Sequence, residues 1–112
     1  MGVIISLNHD EQFQKLYKKG KSIVSPVLIV YVRRNGKNIN RLGITASKKI
    51  VGAVVRNRAK RRIRELYRTN LLRLKTGYDF VVVARSKTAT APYDALLSAF
   101  LSAAENLGVL NE

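Results

Sequence analysis

The segment between residues 55 and 68 combines cations and apolar residues at helical spacing, and this pattern constrains the fold more than any other part of the chain. On a helix that advances about 100° per residue, the apolar residues fall on one side and most of the cations on another. Such a helix must bury its apolar side against the rest of a folded domain. The cations are Arg56, Arg58, Lys60, Arg61, Arg62, Arg64 and Arg68, and the apolar residues are Val55, Ala59, Ile63, Leu66 and Tyr67.

The cationic side of this predicted helix has almost no compensating acid. Glu65 is the only acid in the segment, and cations four residues apart, such as Arg56 and Lys60, repel each other by roughly a few tenths of a kcal/mol. A ladder of RNA phosphates would relieve this repulsion and release condensed counterions, and arginine favours bidentate phosphate contacts. A solvated basic surface and an anionic membrane are the alternatives, although interspersed acids normally relieve such a surface and the apolar side is better explained as core.

The whole chain is positively charged, like the cationic side of this predicted helix. Its 112 residues include 21 Lys and Arg against 7 Asp and Glu, which gives a formal net charge of +14. Hydrophobic residues make up 46% of the sequence, as in ordinary globular proteins, so a folded body carries the charge. A chain of this length is typical of one domain, which we expect to span residues 1–112.

The residue inventory argues against several enzyme classes. The sequence has no cysteine and one histidine, His9, and its acids are scattered, so we expect no catalytic residue and no metal ligand in the chain. The longest apolar run, residues 27–32, is too short to span a membrane, and residues 1–7 lack the features of a signal peptide. We therefore expect a cytoplasmic protein without a membrane partner, although residues 1–6 also fit a loose myristoylation template.

Helix caps and turn residues divide the chain into predicted elements. Asn8 is typical of an N-cap, Asn35-Gly36 between two β-branched segments predicts a β-hairpin, and Pro92 suits the first turn of a helix. The predicted elements are a helix over residues 8–19, hairpin strands over 27–33 and 39–46, the basic helix over 52–72, a strand over 78–84, a loop over 85–91 and a last helix over 92–107.

This order, α-β-β-α-β-α, predicts an α+β fold: a single-domain α/β sandwich with a sheet of about four strands and helices covering one sheet face. The second face would be polar, aromatic and basic, which suits single-stranded RNA because bases stack on aromatic rings and phosphates contact cations. Alternation assigns Leu28, Val30, Val32, Leu42, Ile44 and Ala46 to the core face, and Ile29, Tyr31, Arg33, Arg41, Gly43, Thr45 and Ser47 to the other face.

The first predicted helix carries an aromatic pair, Phe13 and Tyr17, whose role its sequence leaves open. Residues four apart share one helix face, so both rings point the same way. Aromatic pairs at this spacing are more often buried than functional, and both core packing and RNA stacking stay open. Tyr31 is a stronger candidate for RNA stacking because alternation places it away from the core face.

Several motifs, spread over nearly the whole chain, match one known pattern. The most specific is GITASKK at residues 43–49 followed by AVVRNRAKRRIRE at residues 53–65, with Arg-Asn-Arg inside the basic string. Supporting marks are FQKLY at residues 13–17, Tyr31, and YDFVVVAR at residues 78–85. With these motifs the chain resembles the protein subunit of bacterial ribonuclease P.

The resemblance implies a fold with an unusual left-handed crossover from strand to basic helix to strand. It implies a subunit of a ribonucleoprotein endonuclease that removes the 5′ leader from precursor tRNA, with the catalytic centre in the RNA. Magnesium would be held mainly by the RNA subunit and the substrate, and the partners would be the catalytic RNA and precursor tRNA. Basicity alone would equally permit a general structural RNA-binding protein, such as a ribosomal component.

The resemblance also implies roles for individual residues. One difference from the family pattern is the absence of Lys and Arg from residues 1–12, which family members commonly have there. Matching positions imply contacts with the catalytic RNA for Arg56, Arg58, Arg61, Arg62, Arg64 and Arg68, and contacts with the precursor tRNA leader for Phe13, Tyr17, Ile29, Tyr31, Lys48, Asn57 and Lys60.

Overall fold

The computed structural model of the protein describes residues 5–7 and 10–111, and it confirms the predicted combination of helices with a four-stranded sheet. Two short 3₁₀ helices, Leu71–Arg73 and Ser86–Ala89, follow a helix and a strand respectively. The α-helices are α1 (Asp10–Lys19), α2 (Ala53–Thr69) and α3 (Tyr93–Asn106), and the strands are β1 (Lys21–Val24), β2 (Leu28–Arg34), β3 (Arg41–Ala46) and β4 (Tyr78–Ala84).

The strands form one mixed sheet in the order β1-β2-β4-β3. β2 pairs with β1 and β4 in antiparallel orientation, whereas β3 runs parallel to β4 and reaches it through α2. The predicted hairpin between residues 27–33 and 39–46 is therefore wrong, because β4 lies between those two strands. The predicted turn at Asn35-Gly36 is present, with Gly36 at φ +72°. It is hydrogen-bonded to the residue before β4, however, because the Asn35 N–H donates to the Gly77 carbonyl oxygen over 2.9 Å.

Strand β1 is additional to the predicted elements, and it forms the actual hairpin with β2. Ser25 closes the turn, where its N–H donates to the Leu28 carbonyl oxygen over 2.9 Å. Two residues beyond β4 hold this turn: Arg85 Nη1 donates to the Ser25 carbonyl oxygen over 2.7 Å, and the Thr88 hydroxyl donates to the Val27 carbonyl oxygen. β1 has only four residues, three of them exposed, so it lacks the apolar alternation that reveals a strand.

The main hydrophobic core lies between the sheet and helices α2 and α3. The predicted core face of the sheet is confirmed, since Leu28, Val30, Val32 and Leu42 are buried and the remaining members pack against them. Burial of the apolar side of α2 turns its cationic side away from the core. The helices contribute Ala59, Ile63, Leu66, Tyr67, Leu96, Phe100, Ala103 and Ala104.

Helix α2 begins outside the core. It is shorter than the predicted range 52–72, because it ends at Thr69 and a 3₁₀ helix follows. Val54 and Val55 are 81% and 40% exposed, and Ala59 is the first buried residue of the helix. The prediction that Val55 packs in the core is therefore wrong, because the first turns of α2 extend past the packed region.

Helix α1 packs on the opposite face of the sheet, so the prediction that helices cover only one face is wrong. Leu16 of α1 is buried against Val81, while Val82 points into the main core. This explains the consecutive valines of β4, because a run of apolar residues is typical of a strand that is covered on both faces. We call the face beneath α1 the outer face; it carries Ile29, Tyr31 and Arg33 of β2, Gly43 and Thr45 of β3, and Asp79, Val81 and Val83 of β4.

The chain before α1 covers the edge of β3. The Leu7 N–H donates to the Leu42 carbonyl oxygen over 2.9 Å, and the Leu42 N–H donates to the Ile5 carbonyl oxygen over 2.7 Å. These bonds occupy backbone groups that an edge strand would otherwise expose. The predicted N-cap Asn8, the neighbouring His9 and most of the myristoylation template lie outside the described residues.

Candidate nucleic-acid interface

The cationic side of α2 presents exposed guanidinium groups. Four of its arginines are exposed, and neither of the two ion pairs found within residues 5–7 and 10–111 includes any of them. Guanidinium groups without acidic partners are suited to contact successive phosphates. These four residues, which we call the α2 arginines, are Arg56, Arg58, Arg61 and Arg64.

Two other predicted RNA-binding arginines of α2 are engaged within the protein. Arg62 is half-buried, and its Nη1 donates to the Thr88 carbonyl oxygen over 2.8 Å, which ties α2 to the 3₁₀ helix after β4. Arg68 pairs with Glu65, where its Nε donates to Oε1 over 3.2 Å, and this hydrogen bond lowers the pKa of the Glu65 carboxyl. RNA contacts at these two positions would compete with contacts inside the protein.

Three aromatic side chains form a continuous row where α1 meets the outer face, and we call them the aromatic row. The ring centroids of Phe13 and Tyr17 are 6.5 Å apart, those of Tyr17 and Tyr31 are 5.0 Å apart, and both pairs are edge-to-face. Phe13 is half-buried against Leu16 and Val81, whereas Tyr17 is 37% exposed. Phe13 at one end of the aromatic row therefore packs α1 on the sheet, whereas Tyr17 in the middle of the row is open to a ligand.

Burial also affects the chemistry of Tyr17, the open member of the aromatic row. Burial and the neighbouring Tyr31 hydroxyl raise the pKa of Tyr17. The Tyr17 hydroxyl therefore stays protonated at physiological pH. A neutral ring offers a stacking surface without adding a negative charge that would repel RNA.

Gly43 determines how closely α1 approaches the sheet. The Phe13 ring stands over this glycine, and a Cβ at position 43 would lie 2.6 Å from Phe13 Cζ. Real Cβ atoms do not approach other heavy atoms so closely, so any side chain here would force the Phe13 ring to shift from its place between α1 and the sheet. Gly43 thereby sets the position of the aromatic row.

Gly43→Ala is expected to lower the free energy of unfolding by about 1–3 kcal/mol, because the added methyl group overpacks the contact with Phe13. Urea unfolding would measure this change. In a Phe13→Leu background the same substitution should lower the free energy of unfolding by less, since leucine lacks the Cζ atom that the added methyl group would meet. An equal cost in both backgrounds would contradict the proposed contact.

A concave site of about 430 Å³ lies on the outer face at the carboxyl ends of β3 and β4, and we call it the upper pocket. Its floor is apolar, with Ile29 and Val83, and its rim includes Lys49, Arg85 and Lys87. Apolar surface surrounded by cations can hold a nucleobase while the rim contacts the adjoining phosphates.

The structure brings together some of the predicted leader-binding residues. Phe13, Tyr17 and Tyr31 form the aromatic row, and Ile29 lies in the upper pocket. The remaining three lie elsewhere: Lys48 is exposed on the loop after β3, and α2 carries exposed Asn57 and half-buried Lys60.

Sequence reasoning missed three cations at the rim of the upper pocket. Lys49 and Arg85 stand in the motifs GITASKK and YDFVVVAR, and Lys87 follows two residues later. Their motif positions could have indicated a role, but only the fold shows that the loop after β3 and the turn after β4 meet at one pocket.

Two features are absent from the part of the chain that the structure describes. No group of three or more potential His, Cys, Asp or Glu metal ligands occurs among residues 5–7 and 10–111. Within the same residues, no helix is both long and apolar enough to cross a membrane.

Comparison with known proteins relates the chain to one family. Residues 3–108 match the model of the family Ribonuclease P. The ribonuclease P protein component of Alkaliphilus oremlandii is 41% identical over 111 residues, which cover 99% of this chain and 97% of that protein.

Solved structures give the same result. The RNase P protein of Staphylococcus aureus superimposes with a TM-score of 0.82 at 29% identity, covering 97% of this chain and all of that one. The RNase P protein of Thermotoga maritima gives a TM-score of 0.77 at 31% identity, covering 87% of this chain and 92% of that one. The similarity thus extends over both the α2 arginines and the aromatic row.

Proposed function

Because this chain belongs to the ribonuclease P protein family, whose members are the protein component of a ribonucleoprotein that processes tRNA, we propose that it contacts two RNAs through two surfaces. The α2 arginines bind the catalytic RNA, and the aromatic row with the upper pocket binds the single-stranded 5′ leader of precursor tRNA. The observation that carries this proposal is the separation of the two surfaces, one cationic and one aromatic with a basic rim, joined by the loop over residues 47–52.

The α2 arginines support the first contact. A helix rises about 1.5 Å per residue, so the distance from Arg56 to Arg64 along the axis is about 12 Å, enough to face more than one phosphate. Neutralising those phosphates releases counterions, which makes the affinity strongly dependent on salt. The apolar contacts of Ala59 and Ile63 with the core hold the helix rigidly behind these cations.

The aromatic row and the upper pocket support the second contact. Aromatic rings stack on any base, so this surface recognises a single strand with little dependence on its sequence. Such a surface would bind leaders of different sequence. Lys49, Arg85 and Lys87 would contact the phosphates on either side of a base in the upper pocket.

We place the chemical step in the RNA. The described residues offer no cluster of carboxylates that could hold catalytic magnesium, so the magnesium ions would be bound by the catalytic RNA and the substrate. The protein contributes positioning and electrostatic stabilisation by holding the leader beside the RNA active site.

Reconstitution with the catalytic RNA tests this function. At low magnesium, adding the protein is expected to raise the affinity for a precursor tRNA with a leader by about tenfold or more, the equivalent of one or two stacked bases. The affinity for mature tRNA should stay the same, because mature tRNA lacks the leader.

Two outcomes of this experiment would contradict the proposal. If the protein raised the affinity for precursor and mature tRNA equally, the leader would not bind in the upper pocket. Magnesium-dependent cleavage by rigorously RNA-free protein would place catalysis in the protein.

A further inference from the structure

The outer face carries a second concave site at the end opposite the upper pocket, and we call it the lower pocket. Its volume is about 270 Å³. Gln12 and Lys15 of α1 lie at the lower pocket, whereas Phe13 and Tyr17 lie on the other flank of the helix. Helix α1 therefore separates the lower pocket from the aromatic row, and the function proposed above does not use it.

A buried carboxylate stands at the base of the lower pocket. Asp79 is only 4% exposed, yet its oxygens accept three hydrogen bonds. Arg41 Nε donates to Oδ1 over 2.8 Å, Arg41 Nη2 donates to Oδ2 over 2.7 Å, and Asn35 Nδ2 donates to Oδ1 over 3.0 Å. Such a bidentate pair compensates the buried charge and fixes the guanidinium plane of Arg41.

The pair leaves part of the Arg41 guanidinium available. It uses the edge formed by Nε and Nη2, so the two Nη1 hydrogens and the second Nη2 hydrogen remain for another acceptor. The Arg41 side chain is 20% exposed. An anion that enters the lower pocket would meet donors that Asp79 already holds in place, and it would cost little further side-chain entropy.

Three more cations border the lower pocket, and none of them belongs to an ion pair of the described residues: Lys15, Arg33 and Arg34. Arg33 is directly opposite Asp79 in the register of β2 and β4, but neither ion pair of the described residues includes it. The same holds for exposed Lys15 on α1. Four cations from three elements thus line the pocket of one carboxylate that Arg41 and Asn35 already satisfy.

We propose that the lower pocket binds one phosphate group of an RNA strand. The arginine forks match the planar edges of phosphate oxygens, and the polar lining suits a hydrated anion better than a base. The phosphate site itself is independent of the function proposed above. Its occupation by RNA rests on that function, and the phosphate belongs either to the catalytic RNA or to a leader long enough to pass over α1.

Titration of the full-length protein with inorganic phosphate at constant ionic strength tests the site directly. The Nε–Hε NMR resonances of Arg33 and Arg41 are expected to shift together and to saturate with one affinity. The resonance of Arg73, which is exposed on the 3₁₀ helix after α2, should not follow that curve.

A double variant, Lys15→Gln with Arg33→Gln, provides the decisive comparison. The hydrogen bonds and the ion pair of Asp79 come from Arg41 and Asn35, which the double variant keeps, so the thermal midpoint should stay near that of the unaltered protein. Phosphate affinity measured at the Arg41 resonance should fall about tenfold, as expected for the loss of a charge-assisted hydrogen bond. Arg73→Gln is the matched control and should leave this affinity unchanged. An unchanged affinity in the double variant, or an Arg41 resonance that moves no more than that of Arg73, would overturn the proposal.

Measurements with RNA identify the source of the phosphate. In the double variant, the slope of log affinity against log salt should decrease by about 0.7–0.9, the value for one lost phosphate contact. A decrease for the catalytic RNA alone assigns the phosphate to that RNA, and a decrease only for precursors with long leaders assigns it to the leader. An unchanged slope for the catalytic RNA and for the long-leader precursors would exclude RNA from the lower pocket. That result would not alter the outcome of the phosphate titration, which tests the pocket itself, or of the reconstitution experiment, which tests the proposed function.

Discussion

Replacing the four α2 arginines with glutamine is expected to lower the affinity of the protein for the catalytic RNA by about 10³-fold at moderate salt, as several charge-assisted contacts are lost together. The four residues are exposed and outside the ion pairs of the described chain, so their guanidinium groups are available to phosphates. Filter binding or fluorescence anisotropy with the catalytic RNA would measure the loss.

The salt dependence gives a second measure of the same effect. Each phosphate contact contributes about 0.7–0.9 to the slope of log affinity against log salt. The variant with all four substitutions should therefore show a slope that is smaller in magnitude by about 3. The variant should also keep its fold, because the substituted side chains lie on the exposed side of a helix whose buried side is unchanged.

A charge-matched variant separates the α2 surface from net charge. Substituting glutamine for Lys18, Lys19, Lys37 and Arg73 removes the same charge from exposed positions outside α2. This control should lose far less affinity, because it weakens only the general attraction between a basic protein and RNA. An equal loss in both variants would show that total charge, rather than this helix, determines assembly.

The sequence predicts which side of each element is buried more reliably than which elements are neighbours. Alternation along β2 correctly separated Val30 and Val32 from Ile29 and Tyr31, since side-chain direction follows from strand geometry alone. The partner of β2 was wrong, because Asn35-Gly36 predicts a turn without determining which strand continues beside it. β4 enters the sheet between β2 and β3 after a helix and more than thirty intervening residues, and no local signal carries that information.

The sequence also could not predict which face of the sheet α1 covers. Its spacing of Phe13, Leu16 and Tyr17 shows that one side is buried, but it does not show which face of the sheet receives that side. Gly43, a glycine inside a strand, was the available signal for a close approach. The lower pocket needed the register as well, since only the pairing of β2, β4 and β3 places Arg33 and Arg41 on either side of Asp79.

Tyr31→Leu is expected to weaken the binding of leader-bearing precursor tRNA by about 1–3 kcal/mol, the contribution of one base stacked on an aromatic ring. Leucine keeps apolar contact with Tyr17, whose ring centroid lies 5.0 Å from that of Tyr31, so α1 should stay in place. The effect is measured as the ratio of dissociation constants for precursor and mature tRNA in the reconstituted holoenzyme.

Tyr93→Leu provides the matched control for this prediction. Tyr93 is 44% exposed at the start of α3, which packs on the other face of the sheet, so its loss should leave the ratio unchanged. Mature tRNA should bind the Tyr31→Leu holoenzyme as it binds the unaltered one, because the leader alone would contact the aromatic row. If the affinities for precursor and mature tRNA fell together, Tyr31 would act on the assembly of the holoenzyme, and the leader would have to follow a path away from the aromatic row.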